Sequence, residues 1–349
     1  MRNALGLMLA SFVTAVLITG VWFWTSSPRA DTAPPQTVAA RAAEPLPAPA
    51  AAKPAPRDDV ETTAGLSSKP TPAAAPAPFP APVPVRPAAT CANPDALGVS
   101  RVVVIDTTGG PGFGFLQYKQ FDFLTDKEVV LTFDDGPWPT TPAVLKALAD
   151  ECTKGLFFPV GKHTAYHPEI LKQVAAAGHT IGSHTWSHAH LDSKKMTEPQ
   201  MREEIEKGFS AVKMALGTAP APFFRFPGLG HTQTALGYLA SRNISMFSVD
   251  VDSNDFRSSG PDQVIQNVMT KLDKQGKGVI LMHDLQKHTA LALPTLLRRL
   301  KAGGYKVVQM RAKEQLETLP EYDAMLVKDQ KMPAVASRPI GSVVQTVSQ

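Results

Sequence analysis

The sequence predicts an α/β protein whose parallel strands close into a (β/α) barrel, preceded by a membrane segment and an Ala/Pro-rich tether. Three observations carry this expectation. From residue 100 onward, short β-branched or aromatic runs alternate with helical patterns, and strict alternation implies a parallel sheet, either a closed barrel or an open doubly wound one. The polar clusters Asp134-Asp135, His184/His188, Arg225, Asp252/Asp255 and His283 each follow a different run at its C-terminal end. Barrels assemble their sites from the ends of several strands, whereas an open sheet concentrates its site at one crevice. Composition is also divided: 16 of the 32 prolines fall in residues 28–90, and all nine histidines lie between His163 and His288.

After Met1-Arg2-Asn3, the stretch from Ala4 to Trp24 holds 21 residues without a charge. A helix of that length spans about 30 Å, the thickness of a bilayer's hydrocarbon core. It exceeds the ~7–15 apolar residues of a cleavable signal. It ends in Val21-Trp22-Phe23-Trp24, aromatics suited to a membrane interface. A retained anchor is expected, with cleavage as the alternative, and Arg2 favours the amino end inside and the body exported. The expected location is the inner membrane, with the body in the periplasm or outside the cell. Residues 28–95, with runs such as Pro45-Leu46-Pro47-Ala48-Pro49, cannot bury a core and favour extended polyproline II. The expected organisation is therefore an anchor or signal over 1–27, a tether over 28–95, one catalytic body over 96–320 and a flexible tail over 321–349.

Within the body the expected strands are Val102–Ile105, Val129–Phe133, Leu156–Val160, Thr180–Ser183, Phe223–Phe226, Ser245–Asp250, Val279–Met282 and Lys306–Gln309. Helices are expected near 141–150, 168–177, 197–215, 234–242, 262–274 and 290–302. Thr141-Pro142, His167-Pro168 and Gly260-Pro261 mark starts, and Gly178 and Gly303-Gly304 mark stops. The net charge is +4, and beyond Thr90 28 basic residues face 26 acidic ones. That balance argues against a nucleic-acid partner, which would select a basic face. Cys91 and Cys152 are too few for a disulfide framework and allow one bridge at most.

The clusters carry the chemistry. Asp134-Asp135 ends a strand at Gly136-Pro137, where a turn can aim both carboxylates at one cavity; an Asx-type turn is the bland reading. His184 and His188 are four apart, so a helical turn would place both imidazoles on one face, ready for a metal. A catalytic zinc needs a third protein ligand, here a carboxylate. Arg225 interrupts an apolar run and, if buried, needs an anion such as an Asp of the pair. Asp252 and Asp255 crowd another strand end, without the Gly and terminal Glu of a calcium-binding EF-hand. His283 ends a very apolar strand, which suits acid–base work.

Taken in order, Thr132-Phe133-Asp134-Asp135-Gly136, His184-Thr185-Trp186-Ser187-His188, Arg225-Phe226-Pro227-Gly228, Asp252-Ser253-Asn254-Asp255-Phe256 and Leu281-Met282-His283 resemble the five motifs of the polysaccharide deacetylases, the NodB-homology enzymes of carbohydrate esterase family 4. The resemblance spans about residues 125–310. It implies a distorted (β/α) TIM-like barrel and a divalent metal, usually Zn2+ and otherwise Co2+ or another divalent ion, held by Asp135, His184 and His188. It further implies Asp134 as general base, His283 as general acid, Arg225 orienting Asp134, and Asp255 with Asp252 positioning Arg225 or His283. The implied substrate is an acetylated glycan such as peptidoglycan, a chitooligosaccharide or a secreted polysaccharide, from which N-acetyl groups are removed. Removal of O-acetyl groups by the same residues, a metal-binding glycan module without turnover, and an exported scaffold are the rival readings. The sequence departs from the family at Gly228, where many members carry tyrosine, and at Phe256, where tryptophan is common. No oligomeric state is implied.

Overall fold

The structure is a computed structural model that describes residue 91 and residues 93–331. The expected membrane segment and most of the tether lie outside the described residues, as does the end of the tail. Among the described residues no helix is long and apolar enough to cross a membrane.

The body is α/β with parallel strands. In chain order the strands are β1 Arg101–Ile105, β2 Gly112–Phe113, β3 Glu128–Asp134, β4 Leu156–Phe158, β5 Thr180–Ile181, β6 Phe223–Phe224, β7 Ser245–Phe247, β8 Val251–Asp252, β9 Gly278–His283 and β10 Lys306–Ala312. The helices that matter below are α1 Thr141–Asp150, α2 Gly161–Tyr166, α3 Pro168–Ala176, α4 Glu198–Leu216, α5 Gln233–Ser241, α6 Pro261–Gln275, α7 Lys287–Ala302 and α8 Pro320–Lys331. Every residue of β3 is buried, as expected of a parallel strand covered on both faces. Its pairings lead to β4, then β5, then through the single bridge Ser183–Phe224 to β6 and β7. The same chain run continues into β8, which pairs with β9, and β9 pairs with β3 again. The parallel pairings thus run from β8 through β9, β3, β4 and β5 and across the bridge to β6 and β7, a ring left open between β7 and β8, with β1 and β10 added beside β3.

Side-chain alternation sorts this ring into two faces. Val129, Leu131 and Phe133 of β3 join Ile280 and Met282 of β9 in a core shared with Val144 and Leu148 of α1, Val268 of α6 and Leu297 of α7. Val130 and Val279 point the other way, into a core with Leu156, Phe158, Phe223 and Phe247. By the two-residue period, Thr132 and Asp134 share the inner face with Val130, and Leu281 and His283 share it with Val279. Asp134 and His283 are direct register partners. The site is therefore seeded by strand register alone.

Several boundaries depart from the sequence expectation. The expected run 245–250 is strand only over β7, which pairs with β6, and the chain becomes strand again just beyond it, where β8 pairs with β9. The two-residue β2 and the six-residue α2 carry no sequence expectation, and α8 stands where the expected flexible tail begins. The body runs past residue 320: α8 buries Leu326 and ties Asp323 to Lys213 of α4 at 2.8 Å. Cys91 and Cys152 form a disulfide with Cα atoms 5.8 Å apart, fastening the start of the described body just beyond the end of α1.

Candidate active site

The first carboxylate, Asp134, closes β3 and is buried. Asp135 would face the opposite side of a regular strand, but its φ of 73° rotates it toward the same cavity. Left-handed backbone is uncommon for a residue with a side chain and costs of order 1–3 kcal/mol, so its presence marks a conformation held by its surroundings. The following Gly136 leaves no room for a side chain, since a Cβ there would stand 2.1 Å from Asp284 Oδ2.

The histidine pair converges by a different route from the one expected. The segment after β5 is not a helical turn: Thr185 and His188 are both left-handed, at φ 68° and 61°. These two reversals, rather than helical spacing, bring the imidazole centroids to 5.1 Å. His184 Nδ1 lies 2.7 Å from the Arg225 carbonyl. Donation to that oxygen leaves the Nε2 lone pair facing the cavity. Burial lowers the pKa of His184, which favours the neutral ligand form.

Asp135 Oδ1 lies 3.5 Å from His184 Nε2 and 3.2 Å from His188 Nε2. It is a buried atom with no well-aligned hydrogen bond. Three donor atoms, one from each residue, fall within 4.8 Å of one another. Ligands at ~2.0–2.2 Å on a tetrahedral zinc stand about 3.3 Å apart, so the donor types and spacing fit a divalent cation. Burial works to raise the Asp135 pKa, but the neighbouring His188, His184 and His283 hold it well below the usual carboxylate range. The same contact with Asp135 raises His188.

Arg225 is fully buried and holds Asp134 in place. Its Nη1 donates to Asp134 Oδ1 and to Thr132 Oγ1, each at 2.7 Å. Its Nη2 donates to the Ser248 carbonyl at 3.1 Å, and the guanidinium lies 4.5 Å from the Phe158 ring centre. This occupies one oxygen of Asp134; the other, Oδ2, lies 3.9 Å from His184 Nε2.

On the neighbouring strand, His283 Nδ1 sits 2.7 Å from Asp255 Oδ1. The Asp255 Oδ2 atom accepts from the His283 backbone N–H at 2.7 Å and from the Thr289 hydroxyl. Burial opposes a charge on His283, yet the bond to Asp255 and the nearby Asp134 and Asp135 carboxylates raise its pKa to about 9. Asp255 therefore serves His283 rather than Arg225. Asp252 does neither: its Oδ1 accepts from Asn254 N–H at 2.8 Å, a local turn bond. Phe256 stands beside His283, ring centres 5.6 Å apart, and is about half exposed. A Cβ at Gly228 would meet the His190 ring at 2.5 Å, so His190 fills the space that a side chain there would take.

Four further residues join the site without having been singled out in the sequence. His163 of α2 places Nδ1 2.6 Å from the Asp135 carbonyl. Thr132 and Thr289 complete the shells of Arg225 and Asp255. Asp284, buried directly after His283, accepts from Thr141 Oγ1 at 2.6 Å, and burial first, then Asp135, raises its pKa to about 7. Only a Thr two positions before Asp134, on the same strand face, was a usable sequence signal.

A sequence profile of the family described as polysaccharide deacetylase matches residues 123–247, which include Asp134, Asp135, His184, His188 and Arg225. Over 188 residues, 53% of this chain, the sequence is 32% identical to a peptidoglycan-N-acetylglucosamine deacetylase of Listeria monocytogenes, of which it covers 38%. It is 29% identical over 164 residues to a chitooligosaccharide deacetylase of a Bradyrhizobium strain, covering 47% of this chain and 73% of that one. The solved structure of a Bdellovibrio bacteriovorus peptidoglycan deacetylase superposes with a TM-score of 0.55 at 33% identity, over 61% of this chain and 59% of that chain. This chain thus spans less than two thirds of the Listeria protein and of the solved Bdellovibrio chain. The profile falls on the strands that carry the paired aspartates, the histidine loop and the buried arginine, and on these grounds this part of the chain carries a polysaccharide deacetylase domain.

Proposed function

We propose that the body is a metal-dependent hydrolase that removes N-acetyl groups from an N-acetylglucosamine-containing glycan, and that the ring of strands is a distorted (β/α) barrel built to hold its site. The observation that carries the reading is the meeting of three ligand atoms, from Asp135, His184 and His188, beside a carboxylate and an imidazole on paired strands. A divalent cation there, zinc by the donor set, supplies Lewis-acid polarisation of the acetyl carbonyl and a water acidified toward neutral pH. Arg225 holds Asp134 by one oxygen, leaving the other to take the proton of the attacking water. A backbone N–H at Gly228 is the candidate donor to the oxyanion. Asp255 fixes His283 through Nδ1, so that Nε2–H faces inward and gives its proton to the departing amine as the tetrahedral carbon collapses. The products are acetate and a free sugar amine. Asp252 has no direct part in this scheme.

The named activities of the Listeria and Bradyrhizobium relatives support a glycan amide as substrate. Chelation is expected to abolish acetate release from N-acetylated glycan, and zinc or cobalt to restore it. Asp135→Ala, His184→Ala and His188→Ala should each lower metal content, whereas Asp134→Asn should keep the metal and lose turnover. Full activity in metal-free protein would refute the mechanism. The proposed location is the outer side of the inner membrane, held by residues 4–24. The Cys91–Cys152 disulfide supports an oxidising compartment.

A further inference from the structure

Trp138 follows the turn that presents Asp134 and Asp135, and it is a large apolar side chain left 37% exposed. Its position is fixed rather than loose. The backbone N–H donates to Thr141 Oγ1 at 2.9 Å, and that hydroxyl donates in turn to buried Asp284. The indole packs against His163 with ring centres 5.0 Å apart, and edge-on against His167 at 5.2 Å. His163 itself touches the Asp135 carbonyl. One imidazole thus separates the indole from the backbone of a metal-ligand candidate.

The topology says which side of the site this is. β4 and β9 both pair with β3 at Asp134, through Phe158 and His283 respectively, and so lie on opposite edges of it. His163 and His167 follow β4, whereas His283 and half-exposed Phe256 belong to the β9 side. Two strand spacings amount to about 10 Å, more than one pyranose ring spans. A single sugar placed between base and acid cannot also cover Trp138. A glycan chain can, because the C–H face of a pyranose is apolar and its hydroxyls lie at the edge, matching an immobilised aromatic face.

We propose that Trp138 is the platform for the sugar that neighbours the acetylated one on the β4 side, and that it makes this site select chains over single sugars. This rests on the deacetylase reading above. The test uses the full chain, its Trp138→Ala and Trp138→Phe variants, the β-1,4-linked pentamer and the monomer of N-acetylglucosamine, and an aryl acetate too small to reach the platform. Pentamer binding is measured by calorimetry, independently of turnover, alongside kcat, KM and metal content. The expected result for Trp138→Ala is about a 10-fold weaker pentamer affinity, appearing in KM rather than kcat. The ratio of pentamer to aryl-acetate kcat/KM should fall by the same factor. Trp138→Phe should recover most of the loss, and the monomer should bind alike in all three proteins. Unchanged pentamer affinity, or a parallel loss on both substrates, would overturn the proposal; the parallel loss would make Trp138 only a support for His163. If the pentamer binds in a Trp138-dependent way but the unaltered chain releases no acetate, the platform stands and the deacetylase reading fails.

Discussion

Arg225 heads the largest fully buried side chains among the described residues, and its charge is paired directly with Asp134, with Asp250 acting from farther off. Removing it would leave the Asp134 carboxylate unpaired in the interior, a change that costs about 3–5 kcal/mol where measured. The sharper residue-scale expectation concerns His283. An amine leaves poorly unless it is protonated, whereas an activated phenolate leaves unaided. His283→Ala should therefore lose about 10²–10⁴-fold on N-acetylated glycan and much less on aryl acetate, while Asp134→Asn should impair both. Equal losses for His283→Ala on the two substrates, with metal and fold intact, would remove it from the acid's role. Its pKa also makes a stability statement. In the metal-free protein the folded value is raised to about 9 from a reference of 6.5, so the folded state binds the extra proton between those values. The resulting stabilisation is complete below about pH 6.5 and disappears as pH rises through about 9. Denaturant midpoints should fall across that window and the fall should be smaller in His283→Ala.

Elements were legible in the sequence where burial on two faces wrote a continuous apolar run. β3 and β9 fall within a few residues of their expected spans for that reason, and the helices α1, α3, α6 and α7 do so because each buries one periodic stripe. The paired aspartates, the two histidines, Arg225, Asp255 and His283 are brought together because each follows a strand of the ring. Elements held by tertiary contacts were not legible. Neither Thr185 nor His188 advertises a left-handed backbone as a glycine would, so the histidine loop read as a helical turn. Nothing in the spacing of Asp252 and Asp255 separates a turn-forming carboxylate from one that meets His283. Helix α8 has one deeply buried apolar residue, Leu326, and so lacks a periodic stripe. It is nonetheless fastened, and Leu326→Ala is expected to cost about 2 kcal/mol in urea unfolding without lowering metal content. An unchanged midpoint would mean that α8 is an ornament on the body.

At the scale of the whole chain, the near-balanced charge argues against a polyanionic partner and agrees with the proposed glycan substrate. For the proposed anchor, the full chain should stay in the membrane fraction after a high-salt wash, with the body shielded from protease until the outer barrier is opened. A soluble form beginning near Ala30 or Asp31 would establish cleavage instead. The ring of pairings has a consequence for biogenesis. β3 finds one neighbour about 150 residues later, in β9, and β1 waits for β10, with Arg101 opposite Val308. Contacts so distant in sequence are slow to form, because loop closure must precede any reward. A nascent chain that has emerged only as far as α6 holds β3, buried along its whole length in the finished fold, with an open edge and no lid over it. Such a chain cannot become native piece by piece. Under the export proposed above, it would have to be kept unfolded until β10 has crossed, and the wait would expose a strand edge prone to wrong pairing.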